Sequence, residues 1–455
     1  MIQPGSLSAM AALVVALWSD IVLTAPHGHK PHHHPSRPAI AMRSDSGVTP
    51  FQITIKPSQG ALHTSAAKAR NISAYLLGDA PDPASPAQLR GFIAQHASDG
   101  STSYFMPPAG SPQGVAIATN GSNLSWSVQT LGTTFKTPGT IDSGRIYIVD
   151  GYLDFFPSGS GQIVQPDPNN PSDIASRESW GFIELSHGKQ NGNEDMTVNL
   201  SFVDWVSLPL GMNVTFDDGN GQKTVSIPGL QPDGLAKVCD ALSGLDSFWP
   251  KLCLRAADNT PLRVMSPQIY NSLNKTDKDV SNYYEPYITQ VWNKYKSADL
   301  RINTQTSGPN SNTKVDNGAI VTCRVGSDNV LHCDNDAGDF NRPVSGDIWG
   351  CDSGPFANPQ GTESWSRARV RPRLCAAFVR STLHLDAIQP SSNVTSSQYY
   401  KQPITNHYSR VVHENLIGGM GYAFSYDDVS PSSTENSAGL VSMTNPIQLD
   451  IFINN

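Results

Sequence analysis

The sequence predicts a mainly β fold, a strand-and-loop domain interrupted by a smaller, helix-containing insertion. Three observations carry that expectation. Charged residues make up only 15% of the 455 positions, well below the usual quarter. Gly and Pro together supply 71 residues, the turn formers that many short strands require. Apolar residues alternate with a period of two in several short runs, whereas a helical period is kept in one stretch alone. Apolar residues are 38% of the chain, which with the glycines is an ordinary globular fraction and excludes disorder throughout.

Residues 9–18 (AMAALVVALW) form an apolar run too short to span a bilayer. With Leu23, Thr24 and Ala25 ahead of Pro26 they predict a secretory signal peptide, residues 1–25. Five histidines and four prolines between Pro26 and Pro38 mark residues 26–46 as a linker or pro-segment that buries no core. From about Gly47 to Thr215, strands are expected at Gln52–Lys56, Arg145–Val149, Tyr152–Phe156, Trp180–Leu185 and Met196–Val206. The pattern changes over 216–312. Leu235, Val238, Cys239 and Leu242 keep a helical period, as do Tyr284, Tyr287, Ile288, Val291 and Tyr295, with Pro286 in the first turn. The aromatic stripe of that second helix reads as core. Strands resume at Ala319–Val325 and run to Ile447–Ile453, so residues 47–215 and 313–455 are expected to form one discontinuous β domain around a mixed α/β lobe.

Net charge is −8 and no basic face is apparent, so no nucleic-acid partner is expected. A neutral polymer meets no electrostatic penalty on such a surface. Six cysteines fit an oxidising compartment and, lacking any CxxC pair, no zinc site. Nearest-neighbour pairing closes short loops inside single structural units, which predicts Cys239–Cys253, Cys323–Cys333 and Cys351–Cys375. Secretion would permit glycosylation at sequons including Asn71, Asn199, Asn213, Asn274 and Asn393.

Several familiar motifs fail on inspection. Cys351–Pro355 (CDSGP) echoes a serine-protease signature but has Cys in place of its first Gly, lacks another Gly and has no matching histidine motif. His413-Glu414 has no second histidine at zinc spacing. Asp334–Asp339 (DNDAGD) misplaces the glycine of a calcium loop and lacks its terminal Glu. No nucleophile elbow, phosphate loop or dinucleotide fingerprint occurs.

Carboxylates on strands remain. A period of two puts Trp180, Phe182 and Glu184 on one face and Ile183 and Leu185 on the other. Asp204, between Val203 and Trp205, is a second carboxylate in apolar company. Two carboxylates on neighbouring strands are the minimum set for glycoside hydrolysis, one protonating the leaving oxygen and the other activating water or attacking.

An ordered series of motifs over about 140–455 resembles the glycoside hydrolase family 64 β-1,3-glucanases of the laminaripentaose-producing type. The series is GRIYI (144–148), VQPDPNNPSD (164–173), WGFIEL (180–185), FVDWVSLP (202–209), WGCDSGPF (349–356), RLCAAF (373–378), NHYSRVVHEN (406–415) and GYAFSYDDV (421–429). The resemblance implies a thaumatin-like β-sandwich or barrel with a mixed α/β lobe flanking a wide groove. It implies Glu184 as general acid and Asp204 as general base. Ser186, Ser201, Trp180, Asp427 and Asp428 become candidate substrate-binding residues, at least one of the two aspartates lining the groove. His187–Asp195 carries a short insertion relative to the family spacing, and a glycan on Asn199 would obstruct the groove, so that sequon is expected to be unused.

The function implied is a secreted endo-β-1,3-glucanase, extracellular or associated with a cell wall, that hydrolyses laminarin-like glucan with inversion. It would need no metal or organic cofactor, act as a monomer, bind β-1,3-glucan and keep no membrane association after signal cleavage. The alternatives are a non-catalytic thaumatin-like protein that binds β-glucan or acts against fungi, and a structural wall protein suggested by the His/Pro-rich leader.

Overall fold

Alternating apolar residues become two β-sheets that share one core. The computed structural model describes residues 48–57, 71–97, 99–112, 114–117, 124–128, 132–190, 192–305, 320–358, 363–431 and 435–454. They belong to a unit spanning His33–Asn455. The second unit, Met1–His32, lies outside the described residues, as do the expected signal peptide and His/Pro-rich segment.

The strands of the two sheets are β1 (Gln52–Pro57), β2 (Ile72–Asp82), β3 (Ser85–His96), β4 (Thr102–Phe105), β5 (Thr133–Lys136), β6 (Ile141–Asp150), β7 (Ser179–Gln190), β8 (Asn193–Ser201), β9 (Leu210–Asp217), β10 (Gln222–Ile227), β11 (Val441–Thr444) and β12 (Pro446–Ile453). One sheet runs β10-β9-β12-β1-β5. The other runs β11-β8-β7-β6-β2-β3-β4, with Trp126–Ser127 also pairing β2. β1 joins β12 in parallel, so the first and last described strands lie side by side. Ile53, Ile55, Val214, Leu449 and Ile451 from the first sheet pack with Ile146, Ile148, Ile183, Leu185, Val198 and Leu200 from the second. Burying each such side chain stabilises the fold by roughly 1.5–3 kcal/mol.

The second sheet has apolar residues on its other face too. Tyr75, Leu77, Tyr147, Val149, Trp180 and Phe182 form a separate cluster with Leu153, Phe155 and Trp205. The strand expected at Tyr152–Phe156 is therefore mostly loop, because Leu153 and Phe155 turn down onto this face; strand structure is confined to Phe156–Pro157. The His187–Asp195 region spans the β7–β8 hairpin tip, where Gln190 pairs with Asn193.

Both expected helices form. α1 (Gly234–Ser243) buries Val238, Cys239 and Leu242, and α2 (Glu285–Ser297) buries Tyr287, Ile288, Val291, Trp292 and Tyr295. Tyr284 is buried beside them. The helix-bearing region is not confined to 216–312. At its start β9 and β10 still belong to the first sheet, and past its end come α3 (Trp365–Val379) and α4 (His407–Asn415). A five-stranded sheet also pairs Leu300–Asn303 with Ile320–Val325 across the expected boundary. The three disulfides are Cys239–Cys253, Cys323–Cys333 and Cys351–Cys375, as expected.

Candidate active site

Residues facing one another across an antiparallel ladder project to the same side of the sheet. On β6, β7 and β8 the register aligns Arg145 with Glu184 and Glu184 with Asn199. One step along, it aligns Tyr147 with Phe182 and Phe182 with Ser201. These residues share the face opposite Ile146, Ile183 and Leu200, which enter the main core. The face is divided between an apolar half around Trp180, Phe182 and Tyr147 and a polar half centred on Glu184.

Glu184 is held at both oxygens. Arg145 Nη2 donates to Oε1 at 3.2 Å, and Asn199 Nδ2 donates to Oε2 at 3.3 Å. Its side chain keeps 23% exposure, enough to meet a ligand. Arg145 is fixed in turn. Nη1 donates to Gln165 Oε1 at 2.9 Å, an oxygen that also accepts from the Tyr147 hydroxyl at 2.6 Å, and the guanidinium lies over the Phe182 ring at 4.7 Å. Burial acts to lower the Arg145 pKa, but Tyr147, Glu184 and Asp204 outweigh it and hold the group above the ordinary arginine value. The loop carrying Gln165 is anchored by the buried Arg263, which donates to the carbonyls of Pro168 (3.1 Å), Ala175 (2.8 Å) and Glu178 (2.7 Å). Burial lowers the Arg263 pKa to about 10, with Asp167 and Asp173 acting the other way.

Asp204 is buried, 4% exposed, in the turn after β8. Its carbonyl accepts from the Ser266 amide at 2.8 Å. The next residue, Trp205, donates its indole N–H to the Trp180 carbonyl at 3.0 Å, which ties this turn to β7. Both carboxylates act on Arg145 and Tyr147 electrostatically, Glu184 in direct contact with the guanidinium. On the far side, Tyr422 bridges to Ser201 through the backbone and donates its hydroxyl to Asp428 Oδ1 at 2.7 Å. Burial, then Asp428, raises the Tyr422 pKa, with Glu184 among its acidic neighbours.

Of the remaining candidates, Ser186 is half-buried and accepts from the Ser143 amide at 3.3 Å. Ser201 Oγ is buried without a protein partner among the described residues. Asp428 is half-buried at the edge of the cluster. Two expectations need correction. Trp180 is 1% exposed, donates its indole N–H to the Ala175 carbonyl at 2.9 Å and packs edge-on against Trp205 at 4.5 Å, so it is core rather than a surface for a ligand ring. Asp427 is 1% exposed and fully engaged inside the molecule, with Oδ1 accepting from Arg380 and Oδ2 from His413, both at 2.9 Å. Its neighbour in sequence instead accepts from the Tyr422 hydroxyl.

Arg145, Tyr147, Gln165, Asn199 and Tyr422 are the site residues that sequence reasoning assigned no part in the chemistry. A period of two does place Arg145 and Tyr147 on one face of β6, but it does not say which strand lies alongside. Asn199 entered only as a sequon. A solvent-touching carboxyl fixed by two donors, with a second, buried carboxylate acting electrostatically on the same guanidinium, suits proton transfer to and from a substrate.

The family model described as β-1,3-glucanase of glycoside hydrolase family 64 matches residues 62–453. Two curated proteins named glucan endo-1,3-beta-glucosidase, from Cellulosimicrobium cellulans and from Arthrobacter sp. (strain YCWD3), are each 28% identical over 292 residues, 63% of this chain and 48% of theirs. The chain spans about half the length of the curated relatives it matches. Among solved structures, a laminaripentaose-producing β-1,3-glucanase in complex with laminaritetraose aligns at TM-score 0.70 and 24% identity, covering 89% of this chain and 98% of that one. A β-1,3-glucanase domain from Clostridium beijerinckii aligns at 0.63 and 16%, covering 90% and 100%. These two likenesses establish a shared fold.

Proposed function

The chain belongs to the glycoside hydrolase family 64 β-1,3-glucanases, and from that premise we propose that it is a secreted endo-β-1,3-glucanase that cleaves laminarin-like glucan with inversion. Glu184 is the general acid and Asp204 the general base. The observation that carries this reading is the Glu184 carboxyl, held on the sheet face at 3.2 Å from Arg145 and 3.3 Å from Asn199.

As Glu184 gives its proton to the glycosidic oxygen it becomes a carboxylate, and the guanidinium beside Oε1 stabilises that charge as it forms. Such an interaction is stronger in the transition state than with the protonated acid, which is the requirement for catalysis. The Asn199 amide acts on Oε2 in the same sense. Asp204 takes a proton from water attacking the opposite face of the sugar, giving a product of inverted anomeric configuration. The substrate is neutral, in keeping with the acidic chain. The place of action is outside the cell or at a cell wall, and the working unit is a single chain. Proton NMR of the first products from laminarin tests this reading. Inverted anomers support it, and retained anomers or no hydrolysis would oppose it. Loss of hydrolysis in Asp204→Asn with glucan binding kept would separate it from a protein that holds glucan without cleaving it.

A further inference from the structure

A cavity of about 60 Å³ lies beside Arg145, lined among others by Asp79, Gly91, Ser143, Gln162 and Gln165. Two irregularities in strand pairing open it. β2 shifts register against β6 between Leu77 and Asp79, and β7 does so between Leu185 and His187. Between them Ser143 adopts a left-handed conformation at φ 55°. Bulges of this kind re-aim side chains next to active sites. The cavity is continuous with the carboxylate cluster through one side chain, since the same guanidinium reaches Gln165 at 2.9 Å and Glu184 at 3.2 Å.

The lining chemistry narrows the ligand. Asp79 is half-buried, and its carboxyl has neither an ion-pair nor a hydrogen-bond partner among the described residues. Burial, helped by Asp142 across the ladder, pushes its pKa up to about 6. Gln162 Oε1 accepts from the Gly91 amide at 3.0 Å, which fixes its side chain and leaves the amide N–H groups as donors. A Cβ on Gly91 would stand 2.8 Å from that oxygen and 3.7 Å from Asp79 Oδ1, so glycine keeps this wall open. Asp79 and Asp142 disfavour an anion, and the Arg145 guanidinium disfavours a cation. A carboxyl, two amides and a guanidinium match the donors and acceptors of a neutral polyol.

The geometry points to a glucosyl subsite here, in which Asp79 accepts hydrogen bonds from the hydroxyls of a sugar unit whose chain continues to Glu184. This rests on the glucanase reading of that same site. Calorimetric titration of laminarihexaose into Glu184→Gln protein, with and without Asp79→Asn, tests it. Loss of a charged acceptor should weaken binding about tenfold. Gln162→Ala, on an exposed loop, should weaken it several-fold and serves if the Asp79 variant fails to fold. Unchanged affinity in the Asp79 and Gln162 variants, with hexaose still bound by Glu184→Gln, overturns the subsite alone. Absence of any hexaose binding by the Glu184→Gln protein overturns the subsite together with the glucanase reading.

Discussion

Arg145 lies directly across the β6–β7 ladder from Glu184, its Nη2 3.2 Å from Oε1, with Asp204 on the same guanidinium's electrostatic horizon. One cation thus feels both the half-buried carboxyl and the buried one. Arg145→Ala should lower kcat by about 10²-fold, the scale of removing one donor from a developing charge. KM should change far less. Arg145→Lys should recover part of the loss, because a point charge replaces the fork that holds Glu184 and Gln165 together. Steady-state kinetics on laminarin measures both.

Asn199 is 3% exposed and donates to Glu184. Its sequon should therefore stay unmodified when the protein is secreted from a glycosylating host, and glycopeptide mapping should find the free asparagine. Asn199→Ala should reduce kcat while leaving the unfolding midpoint within a few degrees.

Trp180→Ala should cost about 3–5 kcal/mol of stability, as for other large core residues. A residue that only stacked on sugar would instead raise KM with little change in the denaturant midpoint. Chemical denaturation alongside kinetics separates the two outcomes.

Two histidines should shape stability against pH in opposite directions. Burial lowers the His187 pKa to about 4 despite Glu194 nearby. The unfolded chain then takes up a proton near pH 6.5 that the native state refuses, and stability falls as pH drops from 6.5 towards 4, by about 3 kcal/mol. His413 behaves conversely. Burial opposes its charge, but Asp427 and the Gly419 carbonyl outweigh burial and raise its pKa. Its contribution is complete below pH 6.5 and lost as pH rises through the raised value. Asp427 itself is pushed up by burial but held low by His413 and Arg380, so its contribution is present above the ordinary aspartate pKa and lost as pH falls through the lowered value. Denaturant titrations across pH should show His187→Gln flattening the acid limb and His413→Gln flattening the alkaline limb.

Much of this was legible in the chain. The alternations at Gln52–Lys56, Arg145–Val149 and Trp180–Leu185 became β1, β6 and β7, and the two helical stripes became α1 and α2. The disulfides followed from loop length. α3 was missed for a physical reason. It is buried on every side from Val370 to Val379, so it shows no polar stripe. Its interior Pro372 and its arginines also interrupt any apolar period. Arg371 donates to Glu363 and Tyr426, and Arg373 to Gln305, partners that no local pattern announces. The site was half legible. Period two placed Glu184 on its face, but only the ladder register brings Arg145 and Asn199 to it. Adjacent aspartates were indistinguishable until His413 and Arg380 drew Asp427 inside and left Asp428 to Tyr422.

If Glu184 is the acid that cleaves the glucan, its loss abolishes turnover and spares binding. Reducing-sugar release from laminarin by the intact protein and by folded Glu184→Gln tests it most directly. Hydrolysis by the intact protein is expected, with a loss of roughly 10²–10⁴-fold in the variant and laminarin still bound. Undiminished hydrolysis by Glu184→Gln would contradict it.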